Sequence, residues 1–151
     1  MSKQQLWGGR FKQELDQSAK DFSFSLDFDI QLLPYDIEVN KVQALALEKA
    51  DVLSSDERAK IHARLDAILD RAEAISLEDH PDEDVHSLVE RLVIEDIGDL
   101  GKKMHTGKSR NDQVATDVRL YLKDQLLDIN DLMMDCLKSL YDSAVQYKDT
   151  L

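Results

Sequence analysis

After Asn111 the sequence contains neither glycine nor proline, while Val118, Leu122, Leu126, Ile129, Met133, Cys136, Leu140, Ala144 and Tyr147 recur at steps of three and four. That is the period of an α-helix with one apolar side. From Asp112 to about Asp149 the helix would run on the order of 55 Å at 1.5 Å per residue, with a heptad-like seam that needs partner helices. Tyr121, Leu132, Leu137 and Tyr141 widen the apolar surface beyond the seam. The sequence therefore predicts a helical bundle built partly from other chains.

The rest of the chain is punctuated just as sparsely. Its five glycines fall in two places, Gly8-Gly9 and then Gly98, Gly101 and Gly107, and Pro34 and Pro81 each precede a helix-like pattern. At such positions the missing N–H does no harm, so the fold class is all-α. A helix is expected from Pro34 to Ala50. Ser54 and Glu57 have capping-box spacing, and Ile61, Leu65, Ile68, Ala72 and Ile75 extend the following helix to near Ser76. The acidic stretch Glu78 to Asp84 should lead into another helix, its carboxylates facing the positive end of the dipole, with Val85, Leu88, Val89, Leu92 and Ile97 on the apolar side.

Composition narrows the function classes. The chain has 151 residues, 42% hydrophobic and 33% charged, with 31 acids against 19 Lys plus Arg and a formal net charge of −12. This describes a globular chain that repels a phosphate backbone, so nucleic acid is not an expected partner. No apolar run approaches the roughly 18 residues a membrane helix requires, and the first eleven residues lack the apolar core of a secretory signal. Cys136 is the sole cysteine. An intrachain disulfide is excluded, and a cytoplasmic location is expected.

Against that acidity, Gly101 to Asn111 carries Lys102, Lys103, Lys108 and Arg110 with no acid. The sign inversion focuses a field suited to a carboxylate or phosphate. A P-loop does not fit, because five residues separate Gly101 from Gly107 where the motif has four, and no strands accompany it. Ser109, Arg110 and Asn111 instead precede or open the long helix, where free backbone N–H groups, the helix dipole, an Arg fork and an Asn amide converge on a small anion. The plainer alternative is a solvated basic loop in which Ser109 or Asn111 merely caps the helix. His86, with Glu90 one turn later, is either an oriented imidazole or an ordinary surface or satisfied histidine, as are His62 and His80. Histidine spacing offers no HxxxH or HExxH pair, so no metal site is expected. Trp7-Gly8-Gly9-Arg10-Phe11 is either an anion-reaching element or an arm packing its aromatics onto a neighbour.

These segments resemble the N-terminal part of the argininosuccinate lyase family, within the fumarase/aspartase superfamily. The resemblance rests on three ordered blocks, Leu6 to Phe11, Asp84 to Ser87 and Gly101 to Asp117, and spans essentially the whole chain. It implies an N-terminal helical domain, residues 1–111 with the anion loop 101–111, followed by residues 112–151 as a long helix of a central oligomerisation bundle. It further implies reversible elimination of argininosuccinate to arginine and fumarate, without metal or organic cofactor, in a cytoplasmic homotetramer.

By the same resemblance Ser25 and Asn111 are substrate-binding positions, with Asp84, His86, Arg110 and Ser109 beside them. Two departures matter. Lys108 stands where the family usually has Arg, keeping the charge but losing the planar fork. The family's Thr-His segment and Gly-Ser-Ser loop, which carry its acid and base, do not occur in these 151 residues. The chain thus reads as about the first third of a lyase, supplying binding groups and inactive alone. Alternatives are a helical interaction partner of intact subunits, or another superfamily lyase such as adenylosuccinate lyase or aspartase.

Overall fold

Helices α1 (Gln17–Ser23) and α2 (Leu26–Asp29) open a computed structural model that describes residues 16–75 and 82–150. The Trp7 to Phe11 element, His80 and the Glu78 to Pro81 part of the acidic stretch lie outside the described residues. Asp16 caps α1 by accepting from the Ser18 N–H at 3.0 Å. A 3₁₀ turn at Ile30–Leu32 carries α2 straight into α3 (Leu33–Lys49), with Pro34 in its first turn as expected.

Ser54 then starts α4 (Ser55–Leu69) with the capping box the sequence predicts: the Glu57 N–H reaches Ser54 Oγ at 3.2 Å, and the Ser54 N–H reaches Glu57 Oε2 at 2.8 Å. The helix does not reach Ser76. At its end the Arg71 N–H bonds the Ile68 carbonyl, tightening the backbone into a 3₁₀ turn at Ala72–Ala74, so Ala72 and Ile75 pack from the turn and not from the helix. Ile61, Leu65 and Ile68 had already filled the inner face.

Helix α5 (Val85–Ile97) is capped by Asp84, which accepts from the Ser87 N–H and Ser87 Oγ, both at 2.6 Å. It stops at Gly98, whose φ of 62° and ψ of −138° is a conformation that glycine alone adopts freely. The basic segment is less of a loop than expected. Asp99–Lys102 forms α6, Lys103–His105 a 3₁₀ turn, and only Thr106 to Ser109 lies outside helical structure before α7 (Arg110–Gln146).

The core is shared by α3, α4 and α5. Leu33, Ile37, Ala44 and Leu47 meet Ile61, Leu65 and Ile68 and also Val85, Leu88, Val89 and Val93, with Leu26, Leu53 and Met104 closing the edges. Truncating one of the larger side chains to Ala would cost about 2–5 kcal/mol, the transfer term plus the cavity left behind. Helix α7 joins differently. Its 37 residues, roughly 55 Å long at 1.5 Å each, include two buried ones, and both are polar: Gln113 and Asp117. Tyr121 adds an edge-on contact with Tyr35 at 5.9 Å between ring centroids, and Tyr35 Oη donates to Asp124 Oδ2 at 3.0 Å. Beyond that, the seam is bare: Leu122, Leu126, Ile129, Met133, Leu140 and Tyr147 are each at least half exposed. Among the described residues no helix is long and apolar enough to cross a membrane.

Candidate functional site

The start of α7 lies beside α5, where Arg110 meets Asp84 and Glu90. Ser109 is the N-cap of α7 and accepts from the Asn111 N–H at 3.3 Å, so its side chain performs the plainer of the two roles considered. Arg110 lies alongside Glu90 (Nη2 to Oε2, 3.6 Å) and Asp84 (Nη1 to Oδ1, 4.0 Å). These distances are ion-pair separations without hydrogen bonds: Nη1 and Nη2 are both shielded from solvent and neither has a hydrogen-bond partner. The two acids hold the fork by charge and leave its N–H donors unspent. Asn111 is exposed at the same helix end.

Ser25 reaches this region from the far end of the sequence. Its N–H bonds the Glu83 carbonyl at 2.7 Å, and its hydroxyl donates to Asp29 Oδ2 at 2.6 Å. The other oxygen of Asp29 accepts from the Val85 N–H at 3.0 Å, which ties α2 to the first turn of α5. Burial pushes the Asp29 carboxyl up, against the pull of these hydrogen bonds. Glu83 is also raised, by burial and then by neighbouring Asp84, with Arg110 opposing. Ser25, Asp84 and Arg110 thus line one junction.

His86 has different partners from those its spacing suggested. Glu90 turns instead toward Arg110 and His105, the latter at 3.7 Å. The imidazole is 3% exposed. Its Nδ1 lies 2.9 Å from Asp36 Oδ1 and 3.3 Å from Asp117 Oδ2. Asp36 also accepts from Asn40 Nδ2 at 2.9 Å and from Gln113 Nε2. Asn40 passes the network outward, its Oδ1 accepting from Lys108 Nζ at 2.6 Å. Burial lowers the Lys108 ammonium, with Asp36 opposing. For His86, burial pulls the pKa down, but the Asp36 hydrogen bond and the charges of Asp36, Asp84 and Asp117 outweigh it and the net shift is upward. Asp117, fully buried beside Asp36, is raised to about 7 by desolvation and by that second carboxylate.

Ligand atoms of Asp36, His86 and Asp117 lie within 4.8 Å of one another, close enough to converge on an ion. The lone pairs of Asp36 are already engaged by Asn40, Gln113 and His86, and the Lys108 ammonium supplies positive charge to the same network. That is the bonding of an internally neutralised cluster. Sequence reasoning missed Asp36, Asn40, Gln113 and Asp117. The available signal was their position inside the buried stripe Leu33, Asp36, Ile37, Asn40, Ala44 and Leu47, and the matching i, i+4 pair on α7. The remaining histidine described, His62, is satisfied by the Lys41 carbonyl at 3.1 Å.

Known proteins resemble this chain in sequence. A protein family described as Lyase matches residues 9–151. The argininosuccinate lyase of Caldanaerobacter subterraneus is 50% identical over 147 residues, 97% of this chain and 33% of that protein. Those of Desulforudis audaxviator and Legionella pneumophila are each 44% identical, over 97% and 89% of this chain and 32% and 34% of their own lengths. The chain therefore spans about a third of the length of the curated relatives it matches. Matched by that family over nearly all its residues, and with every regular element of the described residues helical, the chain belongs to the lyases of the fumarase/aspartase superfamily.

Proposed function

We propose that this chain supplies the substrate-carboxylate corner of an argininosuccinate lyase, the enzyme that reversibly eliminates fumarate from argininosuccinate and leaves arginine. The observation that carries the reading is the Arg110 fork, held in place by Asp84 and Glu90 with both terminal nitrogens free of hydrogen bonds. Such a fork, at the positive end of a 37-residue helix, suits one carboxylate of a succinyl group or of fumarate. Elimination next to a carboxylate builds negative charge on it, so donors fixed beforehand stabilise the transition state more than the ground state. Asn111 and Ser25 are the further binding positions, Asp84, His86 and Ser109 the neighbours that set their places. Residues 1–111 serve as the site-bearing helical domain, and residues 112–151 as a bundle helix.

Acid and base catalysis falls to groups outside these 151 residues, each contributing typically 10²–10⁴-fold. The isolated chain is therefore inactive. Given argininosuccinate, it should release no fumarate, followed by ultraviolet absorbance; steady turnover would refute this division of roles. Binding of argininosuccinate or arginine, but not adenylosuccinate or aspartate, distinguishes this lyase from its superfamily neighbours. In the intact enzyme the partner helices are other copies, in a cytoplasmic homotetramer that uses neither metal nor organic cofactor.

A second reading is favoured by the bare seam of α7: a helical module that pairs with intact subunits. Exchange of the chain into full-length tetramers, read by mass and activity, supports a partner role; indifference removes it.

A further inference from the structure

Helix α7 is attached to the core through polar groups. Its buried residues are Gln113 and Asp117, both facing the Asp36 and His86 pair, while the apolar residues beyond Tyr121 are exposed. Both oxygens of Asp117 are buried without a hydrogen-bond partner. A fully desolvated carboxylate in that condition costs several kcal/mol unless it is protonated or neutralised at close range. The groups facing it are few. Helix α3 presents Asp36 and Asn40; α5 presents His86, with Asp84 and Glu90 nearby; the preceding turn presents Lys108; and α7 itself carries Arg110 and Gln113. Asp36 is already an acceptor for Asn40, His86 and Gln113, so it offers Asp117 repulsion unless a proton lies between them. A proton on Asp117 removes that repulsion, and an imidazolium at His86, 2.9 and 3.3 Å from the two acids, offsets one of their two charges.

We propose that Asp36, His86 and Asp117 form a proton-dependent clamp that seats the first turns of α7, and with them Lys108, Arg110 and Asn111, against α3 and α5. One proton taken from solvent by the Asp117 and His86 pair closes the clamp, and its loss leaves two buried carboxylates facing each other. The residues act as positioning residues: they touch the corner through Asn40 and Lys108 and through the backbone of α7. The pKa directions agree, since Asp117 and His86 are both raised, so the seated state binds the extra proton and deprotonation favours release. The proposal stands independently of which anion the corner takes.

The test is hydrogen exchange of the full 151-residue chain between pH 5.5 and 8.5, corrected for the intrinsic pH dependence of exchange. Amides of residues 110–118 should lose roughly tenfold or more of their protection as pH rises through about 7, while those of Ile61 to Ile68 in α4 hold theirs. Asp117→Asn, which keeps the shape and removes the titration, should abolish that local pH dependence. Flat protection at 110–118 in the wild-type chain overturns the proposal, as does an unchanged profile in D117N. Should D117N fail to fold, the wild-type profile and the His86 ring nitrogen shifts decide: an imidazole titrating independently of the 110–118 amides overturns it. Added Zn²⁺ that restores protection at pH 8.5 would make the triad a metal site and overturn it equally.

Discussion

Gly101 sets how closely α6 approaches α5, and replacing it with Ala tests whether that approach places the basic turn. A Cβ built there would meet Ile94 Cα and N at 3.0 Å each and Ile94 Cγ1 at 3.1 Å. Ordinary carbon contacts lie near 3.5–4.0 Å, so the overlap is about 0.5–1 Å. Two of the three atoms are backbone in the last turn of α5 and cannot rotate away. Helix α6 must move instead, and with it Met104, which is 2% exposed. Overpacking of this kind costs about 1–3 kcal/mol. In an exposed helix Gly→Ala would gain about 0.5–1 kcal/mol, so the two effects oppose. The clash should win, leaving G101A about 1–2 kcal/mol less stable. Urea unfolding followed by far-ultraviolet circular dichroism should show a lower midpoint at unchanged slope. Thermal unfolding should fall by roughly 2–8 °C, at about 2–4 °C per kcal/mol for a chain of this size. Ile94→Ala should not restore stability, because the backbone atoms remain. Stability equal to or above wild type, or full rescue by I94A, would refute the reasoning.

Other outcomes follow from the same structure. Ser54→Ala removes the side-chain acceptor of the Glu57 N–H while the Glu57 carboxylate keeps the residue-54 N–H, so it should cost about 1 kcal/mol in chemical denaturation. Asp117 moves from an ordinary 3.8 to about 7, so the folded state holds more protons than the unfolded one between those values and stability falls as pH rises through them. His86, raised from 6.5, acts in the same direction at higher pH, whereas Glu57, lowered by Lys103, loses its contribution as pH falls below its ordinary 4.5. A stability maximum on the acid side of neutrality is expected, with stability falling as pH rises toward about 7 and His86 extending the fall. D117N should flatten that fall, and a fall unchanged in D117N would assign it elsewhere. On the bare seam, Leu126→Glu together with Leu140→Lys should reduce concentration-dependent association in sedimentation while leaving helicity intact.

What the sequence made legible was whatever depends on near neighbours along the chain. The Ser54 and Glu57 box, the helix that follows the acidic stretch and the length of α7 all follow from contacts within a turn or two, and each reads directly from spacing. The end of α4 did not, because Ala72 and Ile75 keep apolar spacing whether the backbone is α-helical or 3₁₀. The site divided the same way. Ser109 and Arg110 were visible because they open a helix, whereas Asp36, His86 and Asp117 are 50 and 31 positions apart along the chain and meet only in the fold. Yet a local trace of them existed. On α3 the buried stripe of Leu33, Ile37, Ala44 and Leu47 encloses Asp36 and Asn40 at helical spacing, and on α7 Gln113 and Asp117 precede Tyr121 on one face. A carboxylate that interrupts an apolar stripe must either break the helix's packing or find its partner inside it. Here it finds one. The same rule divides α7 in two: up to Tyr121 its buried residues are polar and held by the core, and beyond the Tyr35 to Asp124 hydrogen bond its apolar residues are exposed. On the proposed clamp the first turns of α7 respond to a proton, whereas its exposed apolar remainder suits a partner helix.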